Sequence, residues 1–510
     1  MKVQFLSANE AIELIPDEAT VGLIGGGGGL VEATILHHHV EKRFLATGHP
    51  KKLTCLHALG IGDRKERGMN RFAHEGLVQR VIGGHWVWSP RMQQLAKDNK
   101  IEAYVLPGGV IMQLMREVAA KRPGLITHVG LGTFVDPTLG GGKMNQAALK
   151  DLVERIEIDG KTYLRYLPIP VDVALLKGSK ADEEGNISLD EEPANVDIYA
   201  MAAAAHNSGG KVIFQVREKV CKGSLGARQV RVPSALVDVI VVDPDQQQGY
   251  ELKYDPSISG ELKDPNYQSE KLEFSVRLAI ARRARLELFK GAVINFGFGI
   301  PDQVAALISE SGESGHYFQT IEHGTYGGNL LTGNLFGYAK NPTCMIDGPS
   351  QFDFYSGGGL DIAFLGFGQI DQKGNVNASK IGSVTVGPGG FIDIAQNAKK
   401  VIFCGTFDTR GSKLKTGDGE LKIDKQGEIR KLVQNVDQIT FSGRQSLRQN
   451  QKVTYVTERA LFRLTEEGLL LEELAPGVDL QKDVLEQMDF APIISPNLKK
   501  MDSGCFMELA

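Results

Sequence analysis

An internal repeat is the feature of this sequence that most restricts how the chain folds. Residues 171–188 read VDVALLKGSKADEEGNIS, and residues 360–377 read LDIAFLGFGQIDQKGNVN, an offset of 189 residues (360 − 171). The same offset relates the KVIF of residues 211–214 to the KVIF of residues 400–403. A constant register across two separate blocks indicates that one supersecondary unit occurs twice. The chain is therefore predicted to contain two similar domains.

Apolar runs and helical patterns alternate along both halves of the chain, and glycine usually follows the runs that predict strands. This alternation is typical of mostly parallel sheets with helices packed on their faces. The predicted fold class is α/β, as two similar open domains. The elements expected are strands over 19–24, 211–216, 237–242, 292–296 and 315–321, and helices over 30–45, 110–120, 196–206 and 272–289. Further apolar runs occur at 53–59, 80–88 and 103–106.

The amino-acid composition changes near the middle of the chain. Residues 243–271 read DPDQQQGYELKYDPSISGELKDPNYQSEK, in which proline, glycine, glutamine and charge replace apolar periodicity. Such composition is typical of an exposed linker. The predicted domains are therefore an N-terminal domain over 1–245, a linker over 246–270 and a C-terminal domain over 271–510.

Charge and cysteine content exclude several classes of protein. The net charge of −5 provides no positive field for nucleic acid or an anionic membrane. The five cysteines form no CxxC pair, which favours reduced thiols over a disulfide framework or a zinc ribbon. Acidic residues interrupt the first twenty positions, and no run of 18 uncharged apolar residues occurs. We expect a cytoplasmic protein with no nucleic-acid or membrane partner.

Three consecutive histidines at 37–39 invite a metal interpretation. Consecutive residues on a helix point about 100° apart, so these side chains cannot bind one ion together. We predict a partly exposed helix surface there and no metal site in the chain.

Glycine-rich stretches follow three predicted strands, at 25–29, 297–299 and 387–390. Glycine brings backbone N–H groups close to an anion, and it also allows tight structural turns, so both interpretations stay open. The first stretch is not a clear G-x-G-x-x-G followed by a ribose-binding acid, which disfavours a nicotinamide-dependent oxidoreductase.

Glu322 is the most suggestive acid in the sequence. The run GHYFQTI at 315–321 predicts a strand, so Glu322 falls at its C-terminal end, and Gly324, Gly327 and Gly328 follow in the next loop. A carboxylate there can act as a nucleophile or base, with glycine N–H groups stabilising the charge that develops. A loop acid paired to a lysine is the alternative.

Several motifs together resemble family I coenzyme A transferases of the fused type, which includes propionate and acetate CoA-transferases. The resemblance runs through nearly the whole chain, and each motif alone would be weak. The motifs are VGLGTFVDPTLGGGKMN (129–145), KADEEGNIS (180–188), INFGFGIP (294–301), IEHGTYGG (321–328), QFDFYSGGGLDIAFLGFGQID (351–371) and GPGGFIDIAQNAKKVIFCGTFD (387–408).

The resemblance implies transfer of CoA between short-chain carboxylic acids, of the acetate, propionate, butyrate and acetoacetate class. It implies a ping-pong reaction with a glutamyl-CoA thioester on Glu322, which matches the nucleophile of the E-x-G-x-x-G-G motif. CoA is then substrate and covalent intermediate, with no separate cofactor, and the protein is expected to be a homo-oligomer, a dimer or tetramer. Gly390 falls at the backbone oxyanion-donor position. The expected CoA-binding residues are Asn295, Gly297, Gly299, Gly387 and Gly389.

The chain departs from the family pattern at one point. Many relatives have P-Q-G where this sequence reads LPGGVIMQL (106–114), so Gly108 occupies the position of a glutamine that donates to the oxyanion. Three alternatives are open: the N–H of Gly108 or Gly109 substitutes, the side chain of Gln113 reaches in, or turnover is reduced. Tyr326 is bulky for the motif, which predicts a short acyl pocket.

Two other functions remain as alternatives to a transferase. An acyl-CoA hydrolase on the same scaffold would use water in place of the acceptor acid. A non-catalytic CoA-binding protein would retain the fold without turnover.

Overall fold

The structure is a computed structural model that describes residues 3–269 and 271–508. Its residues cluster into two compact units, each built from three segments of the chain. The first unit comprises Met1–Pro265, Ile321–Asp353 and Ser383–Asp393, and the second comprises Asn266–Thr320, Phe354–Gly382 and Ile394–Ala510. The segment that carries Glu322 therefore clusters with the N-terminal part of the chain. The domain limits at 245 and 271 stay a prediction about the organisation of the sequence.

An eight-stranded, all-parallel sheet forms the centre of the first unit. Its inner strands are apolar on both faces, and every residue of Leu53–His57 and of Val173–Lys177 is buried. Each fully buried aliphatic side chain of this kind contributes about 1.5–3 kcal/mol. The strand order is Gln4–Phe5, Val239–Val242, Lys211–Val216, Val173–Lys177, Thr20–Leu23, Leu53–His57, Val78–Gly83, Glu102–Tyr104.

The sheet of the second unit repeats part of this order. Its strands are parallel from Phe318–Ile321 to Lys452–Val456. Two antiparallel strands, Ala460–Thr465 and Gly468–Leu474, extend it, and Ile493–Lys500 pairs parallel with the second of them. The order is Phe318–Ile321, Val293–Phe296, Ile362–Gly366, Lys400–Cys404, Lys452–Val456, Ala460–Thr465, Gly468–Leu474, Ile493–Lys500. The α/β prediction with mostly parallel sheets is confirmed.

The internal repeat is confirmed by the positions of equivalent strands. Val173–Lys177 and Ile362–Gly366 begin 189 residues apart (362 − 173), and Lys211–Val216 and Lys400–Cys404 keep the same offset. In each unit the two strands are parallel neighbours.

The turn after each repeated strand is also the same. Oδ1 of Asp182 accepts the N–H of Asn186 at 2.9 Å, and Oδ1 of Asp371 accepts the N–H of Asn375 at 3.0 Å. The aspartate and asparagine shared by the two sequence blocks are therefore there to close a turn.

The predicted helices and strands are all found, with ends shifted by local chemistry. The helix expected over 272–289 begins only at Val276 because the side chain of Ser275 caps it by accepting the N–H of Leu278, and it ends at Arg285. The helices are Ala8–Glu13, Thr34–Thr47, Pro90–Lys97, Gly108–Ala119, Ile198–Asn207, Pro256–Ser259, Val276–Arg285, Ile300–Glu310, Gly348–Ser356, Phe391–Asn397, Gly443–Arg448 and Leu480–Asp483.

Smaller sheets lie beside the two main ones. In the first unit, Lys180–Asp182 and Ile187–Ser188 pair with Glu218–Val220 and Val230–Val232, and a separate sheet contains Leu125–Thr127, Lys161–Tyr166 and Val153–Ile158. In the second unit the smaller groups are Val376–Asn377 with Gln369–Asp371 and Leu432–Val433, Asp408–Thr409 with Ile429–Arg430, and Lys413–Gly417 with Glu420–Lys425.

The histidine prediction was wrong for one of its three residues. His37 is only 1% exposed and lies edge-on to the ring of Phe72, whereas His38 is exposed and His39 is intermediate. A helix that packs one face on the core buries the residues of that face, and His37 lies on it together with Leu36 and Val40. Within residues 3–269 and 271–508, no helix combines the length and apolarity needed to cross a membrane.

Candidate functional site

Glu322 directly follows the strand Phe318–Ile321 and is half-buried. The chain then turns sharply at Gly324, where φ is +110° and a side-chain methyl would lie 2.2 Å from the carbonyl oxygen of Ile346. Only glycine fits this conformation and this close approach. The first glycine after Glu322 is therefore required by the local backbone.

The carboxylate of Glu322 is held by one backbone donor. Its Oε2 atom accepts the N–H of Gly390 at 3.1 Å. A methyl group on Gly390 would lie 2.1 Å from the same oxygen and 2.8 Å from the ring of Phe352. The glycine at this position therefore lets the carboxylate approach the peptide bond.

The loop that contains Gly390 is positioned by backbone hydrogen bonds to the segment that follows the strand Val78–Gly83. The N–H of Gly389 donates to the carbonyl of Gly84 at 2.8 Å, and the N–H of Trp86 donates to the carbonyl of Val386 at 2.8 Å. Gly387 has a φ of +71° and packs against Gly84.

The start of the helix Gly108–Ala119 completes the surroundings of Glu322. The N–H of Gly108 donates to the carbonyl of Gly389 at 2.7 Å. The N–H of Gly109 donates to Oδ2 of Asp393 at 3.2 Å. Neither N–H is therefore directed at Glu322, and both cap the helix within the fold.

Gln113, the third candidate for the second oxyanion donor, is also engaged. Its side-chain amide donates to Oδ1 of Asp353 at 2.8 Å, and the guanidinium of Arg116 binds both oxygens of the same carboxylate at 2.7 Å. In this structure the donor to Glu322 is the N–H of Gly390.

His85 and Glu322 both lie close to the position that a side-chain methyl on Gly389 would occupy. A methyl group on Gly389 would lie 3.9 Å from Oε1 of Glu322 and 4.0 Å from Cδ2 of His85, both ordinary contact distances. The imidazole of His85 therefore borders the same space as the free oxygen of the carboxylate.

The charges at the site follow from burial. Burial raises the pKa of the Glu322 carboxyl to about 7, and the hydrogen bond from Gly390 acts in the opposite direction. Burial, followed by electrostatic interactions with His57 and Arg64, lowers the pKa of His85 to about 4. His85 is therefore neutral near pH 7, and Glu322 is poised between its two forms.

His323 and Tyr326 follow Glu322 in the same segment of the chain. Nε2 of His323 lies 2.7 Å from the carbonyl of Gly337, and burial lowers the pKa of His323 to about 4. Tyr326 is half-buried, and burial raises the pKa of its hydroxyl, opposed by an interaction with Gln351. A short acyl pocket beside Tyr326 stays a prediction.

The predicted CoA-binding residues of the motif INFGFGIP lie in the second unit. Asn295 is 3% exposed, and its side-chain amide lies 3.3 Å from both the carbonyl of Thr320 and the hydroxyl of Tyr355. The N–H of Gly297 donates to the carbonyl of Phe364 at 2.8 Å. Gly299 has a φ of +99° and precedes the helix Ile300–Glu310. A role for Asn295, Gly297 and Gly299 in CoA binding stays a prediction.

Three residues near Glu322 were not predicted from the sequence: His85, Phe352 and Asp393. A signal existed for Asp393, which follows Gly390 by three residues in GPGGFID. Phe352 lies in the quoted motif at 351–371, which is a comparable signal, whereas His85 lies outside the quoted motifs and its nearness to Glu322 depends on how distant segments pack. Among residues 3–269 and 271–508, no group of three histidine, cysteine, aspartate or glutamate side chains is arranged to hold a metal ion.

Comparison with known proteins gives a consistent result. A family model described as coenzyme A transferase matches residues 5–243. The acetate CoA-transferase YdiF of Escherichia coli O157:H7 is 44% identical over 510 residues, covering 100% of this chain and 96% of that protein. The caffeate CoA-transferase of Acetobacterium woodii is 45% identical over 514 residues, covering 99% of this chain and 98% of that protein.

Solved structures show the same similarity. The acyl-CoA transferase YdiF of E. coli O157:H7, in a thioester complex with CoA, superposes with a TM-score of 0.94 at 43% identity. The match covers 99% of this chain and 96% of that one.

Proposed function

This chain belongs to the coenzyme A transferase family, and on that premise we propose that it exchanges CoA between short-chain carboxylic acids through a thioester on Glu322. The observation that carries the proposal is the half-buried Glu322 carboxylate, whose Oε2 atom accepts the N–H of Gly390 at 3.1 Å. Its substrates are an acyl-CoA and a free carboxylate, and its place of action is the cytoplasm. A homo-oligomer is the expected assembly.

The first half of the reaction makes the covalent intermediate. One oxygen of Glu322 attacks the thioester carbonyl, and the C–S bond breaks to give a mixed anhydride and the CoA thiolate. The thiolate then attacks the glutamyl carbonyl, which releases the donor acid as its carboxylate and leaves Glu322 joined to CoA. An acceptor carboxylate runs both steps in reverse. The exchange conserves the thioester and involves no change of oxidation state.

Gly390 is the proposed backbone donor to the oxyanions of this sequence. Its N–H already contacts Glu322, so it is in place to stabilise negative charge on the glutamyl carbonyl oxygen when CoA attacks. With Gly108, Gly109 and Gln113 engaged elsewhere, the reaction is proposed to proceed with this single backbone donor at the glutamyl carbonyl.

The covalent intermediate is the direct test. Incubation with acetyl-CoA is expected to add the mass of CoA less one water to the peptide that contains Glu322, and propionate is expected to remove it. The intact protein and its peptides are measured by mass spectrometry, with free CoA in place of acetyl-CoA as the control, because free CoA supplies no activated acyl group.

Two outcomes would contradict the proposal in different ways. Steady release of CoA without an acceptor acid, and no adduct, would assign an acyl-CoA hydrolase. Neither adduct nor turnover with any short-chain acyl-CoA would leave a CoA-binding protein.

The pKa of Glu322 predicts a rise in activity with pH. The nucleophile is the ionised carboxylate, and a pKa raised to about 7 keeps the free enzyme protonated at lower pH. We expect kcat/KM for acetyl-CoA to rise about tenfold per pH unit at acidic pH and to level off above about pH 7. The measurement is kcat/KM from about pH 5.5 to about pH 8.5 with saturating propionate.

A separate measurement corrects for the substrate. The phosphomonoester of CoA titrates near pH 6, so the dissociation constant of CoA is determined over the same range. His85 does not titrate in that range because its pKa is about 4. A profile that is flat after this correction would show that Glu322 ionises at its ordinary, much lower pKa.

A further inference from the structure

Asp393 is a fully buried acid beneath the candidate site. It lies three residues after Gly390, in the first turn of the helix Phe391–Asn397, and is 0% exposed. Its Oδ2 atom accepts the N–H of Gly109 at 3.2 Å. A methyl group on Gly109 would lie 2.5 Å from its Oδ1 atom, so the carboxyl packs directly on that glycine.

A short chain of hydrogen bonds leads from Gly109 to the nucleophile. The neighbouring N–H, of Gly108, donates to the carbonyl of Gly389 at 2.7 Å. That carbonyl belongs to the same peptide unit as the N–H of Gly390, which donates to Glu322 at 3.1 Å.

The geometry of the peptide bond couples the two ends of this unit. In a planar trans peptide the C=O and the N–H point in opposite directions. Holding the carbonyl of Gly389 therefore sets the direction of the N–H of Gly390. The start of the helix Gly108–Ala119 thus acts on the peptide that contacts Glu322, and Asp393 holds the start of that helix.

We propose that Asp393 is a positioning residue for the reaction: through Gly109 and Gly108 it aims the N–H of Gly390 at Glu322. The inference rests on the proposed function, because it takes the roles of Glu322 and Gly390 from it. The proposal also gives Gly108 a role. The N–H of Gly108 orients the peptide that carries the oxyanion donor, Gly390, and does not itself donate to the oxyanion.

The burial of Asp393 and its hydrogen bond with Gly109 decide which substitutions test its role. Burial raises the pKa of this carboxyl well above its ordinary range, and the charge of Glu322 acts in the same direction. Burial therefore favours the neutral form of Asp393, and its carboxyl accepts the N–H of Gly109. Asparagine has the same shape, is neutral and retains an acceptor oxygen, whereas alanine removes the acceptor.

The test compares the rate of adduct formation in Asp393→Asn and Asp393→Ala. The rate at which CoA appears on Glu322 in a single turnover is followed by quenched-flow mass spectrometry, together with KM for acetyl-CoA and the thermal midpoint. We expect Asp393→Ala to lower the rate by about 10²-fold, the loss typical of a displaced oxyanion donor, with KM nearly unchanged. Asp393→Asn is expected to stay within about fivefold of the unsubstituted protein, because it retains the bond to Gly109.

Asp182 provides a matched control in the same unit. It is 2% exposed, and its Oδ1 accepts the N–H groups of Glu184 at 3.0 Å and Asn186 at 2.9 Å, in a turn that contains none of the site residues. Asp182→Ala is expected to lower the thermal midpoint and leave the rate of adduct formation unchanged. A similar loss of rate in this variant would assign the effect of Asp393 to general destabilisation and overturn the proposal.

The other possible results with the two Asp393 variants also decide whether the proposal holds. Adduct formation at the ordinary rate in a folded Asp393→Ala protein would overturn the proposal. If that variant does not fold, Asp393→Asn decides: a rate as fast as the unsubstituted protein supports positioning through the bond to Gly109, and a loss of about 10²-fold with an unchanged thermal midpoint overturns it. Failure of the proposed function is separate, because it would appear as the absence of any adduct in the unsubstituted protein.

Discussion

Replacing Glu322 by glutamine is expected to lower kcat for CoA transfer on the order of 10⁴-fold or more, as loss of a covalent nucleophile does in other enzymes. Glutamine keeps the volume of the side chain and an oxygen that can accept the N–H of Gly390, which contacts Glu322 at 3.1 Å. Because the volume and the acceptor are kept, the fold is expected to be retained. An amide is not a nucleophile toward a thioester, so only the chemistry is lost. The measurement combines steady-state transfer from acetyl-CoA to propionate with the mass of the Glu322 peptide.

Two further variants make this result interpretable. Glu322→Ala cannot revert to glutamate by deamidation, so any activity regained slowly by Glu322→Gln alone is assigned to that reaction. Glu310→Gln changes an exposed glutamate at the end of a helix and is expected to have ordinary activity. Transfer by Glu322→Ala at more than about a tenth of the ordinary rate would exclude Glu322 as the nucleophile.

Replacing Gly390 by alanine is expected to lower kcat by about 10³-fold, because it moves the carboxylate of Glu322 away from the N–H of Gly390. The backbone N–H is retained, but the new methyl group would lie 2.1 Å from Oε2 of Glu322 and 2.8 Å from the ring of Phe352. Real carbon–oxygen contacts of this kind do not occur, so the carboxylate has to move away. The measurement is kcat and KM for acetyl-CoA, with the thermal midpoint as a check on folding.

Gly315→Ala is the control for this substitution. No atom lies within 4 Å of a methyl group at Gly315, so the alanine is accommodated and activity is expected to be unchanged. A folded Gly390→Ala protein with ordinary kcat would show that the carboxylate of Glu322 does not need its present position. The proposed roles of both residues would then fail.

Local patterns in the sequence were sufficient for the secondary structure and the repeat. Apolar runs over 53–59 and 211–216 became the largely buried parallel strands Leu53–His57 and Lys211–Val216, because a strand covered on both faces is mostly apolar. The constant offset between the halves appeared again as equivalent strands and equivalent aspartate turns, since the same local sequence forms the same local hydrogen bonds. The position of Glu322 at the end of a strand was predicted for the same reason.

Sequence patterns were therefore sufficient to predict the α/β class, the repeated unit and the acid at the strand end. The tertiary structure alone decided that Gly84, Gly108, Glu322, Gly390 and Asp393 meet, because hydrogen bonds between segments hundreds of residues apart bring them together. It also decided that the N–H of Gly108 is used to hold Gly389, and that burial raises the pKa of Glu322 to about 7. Both depend on which groups surround a residue in space, and sequence spacing carries no information about desolvation or about the partner of a backbone N–H.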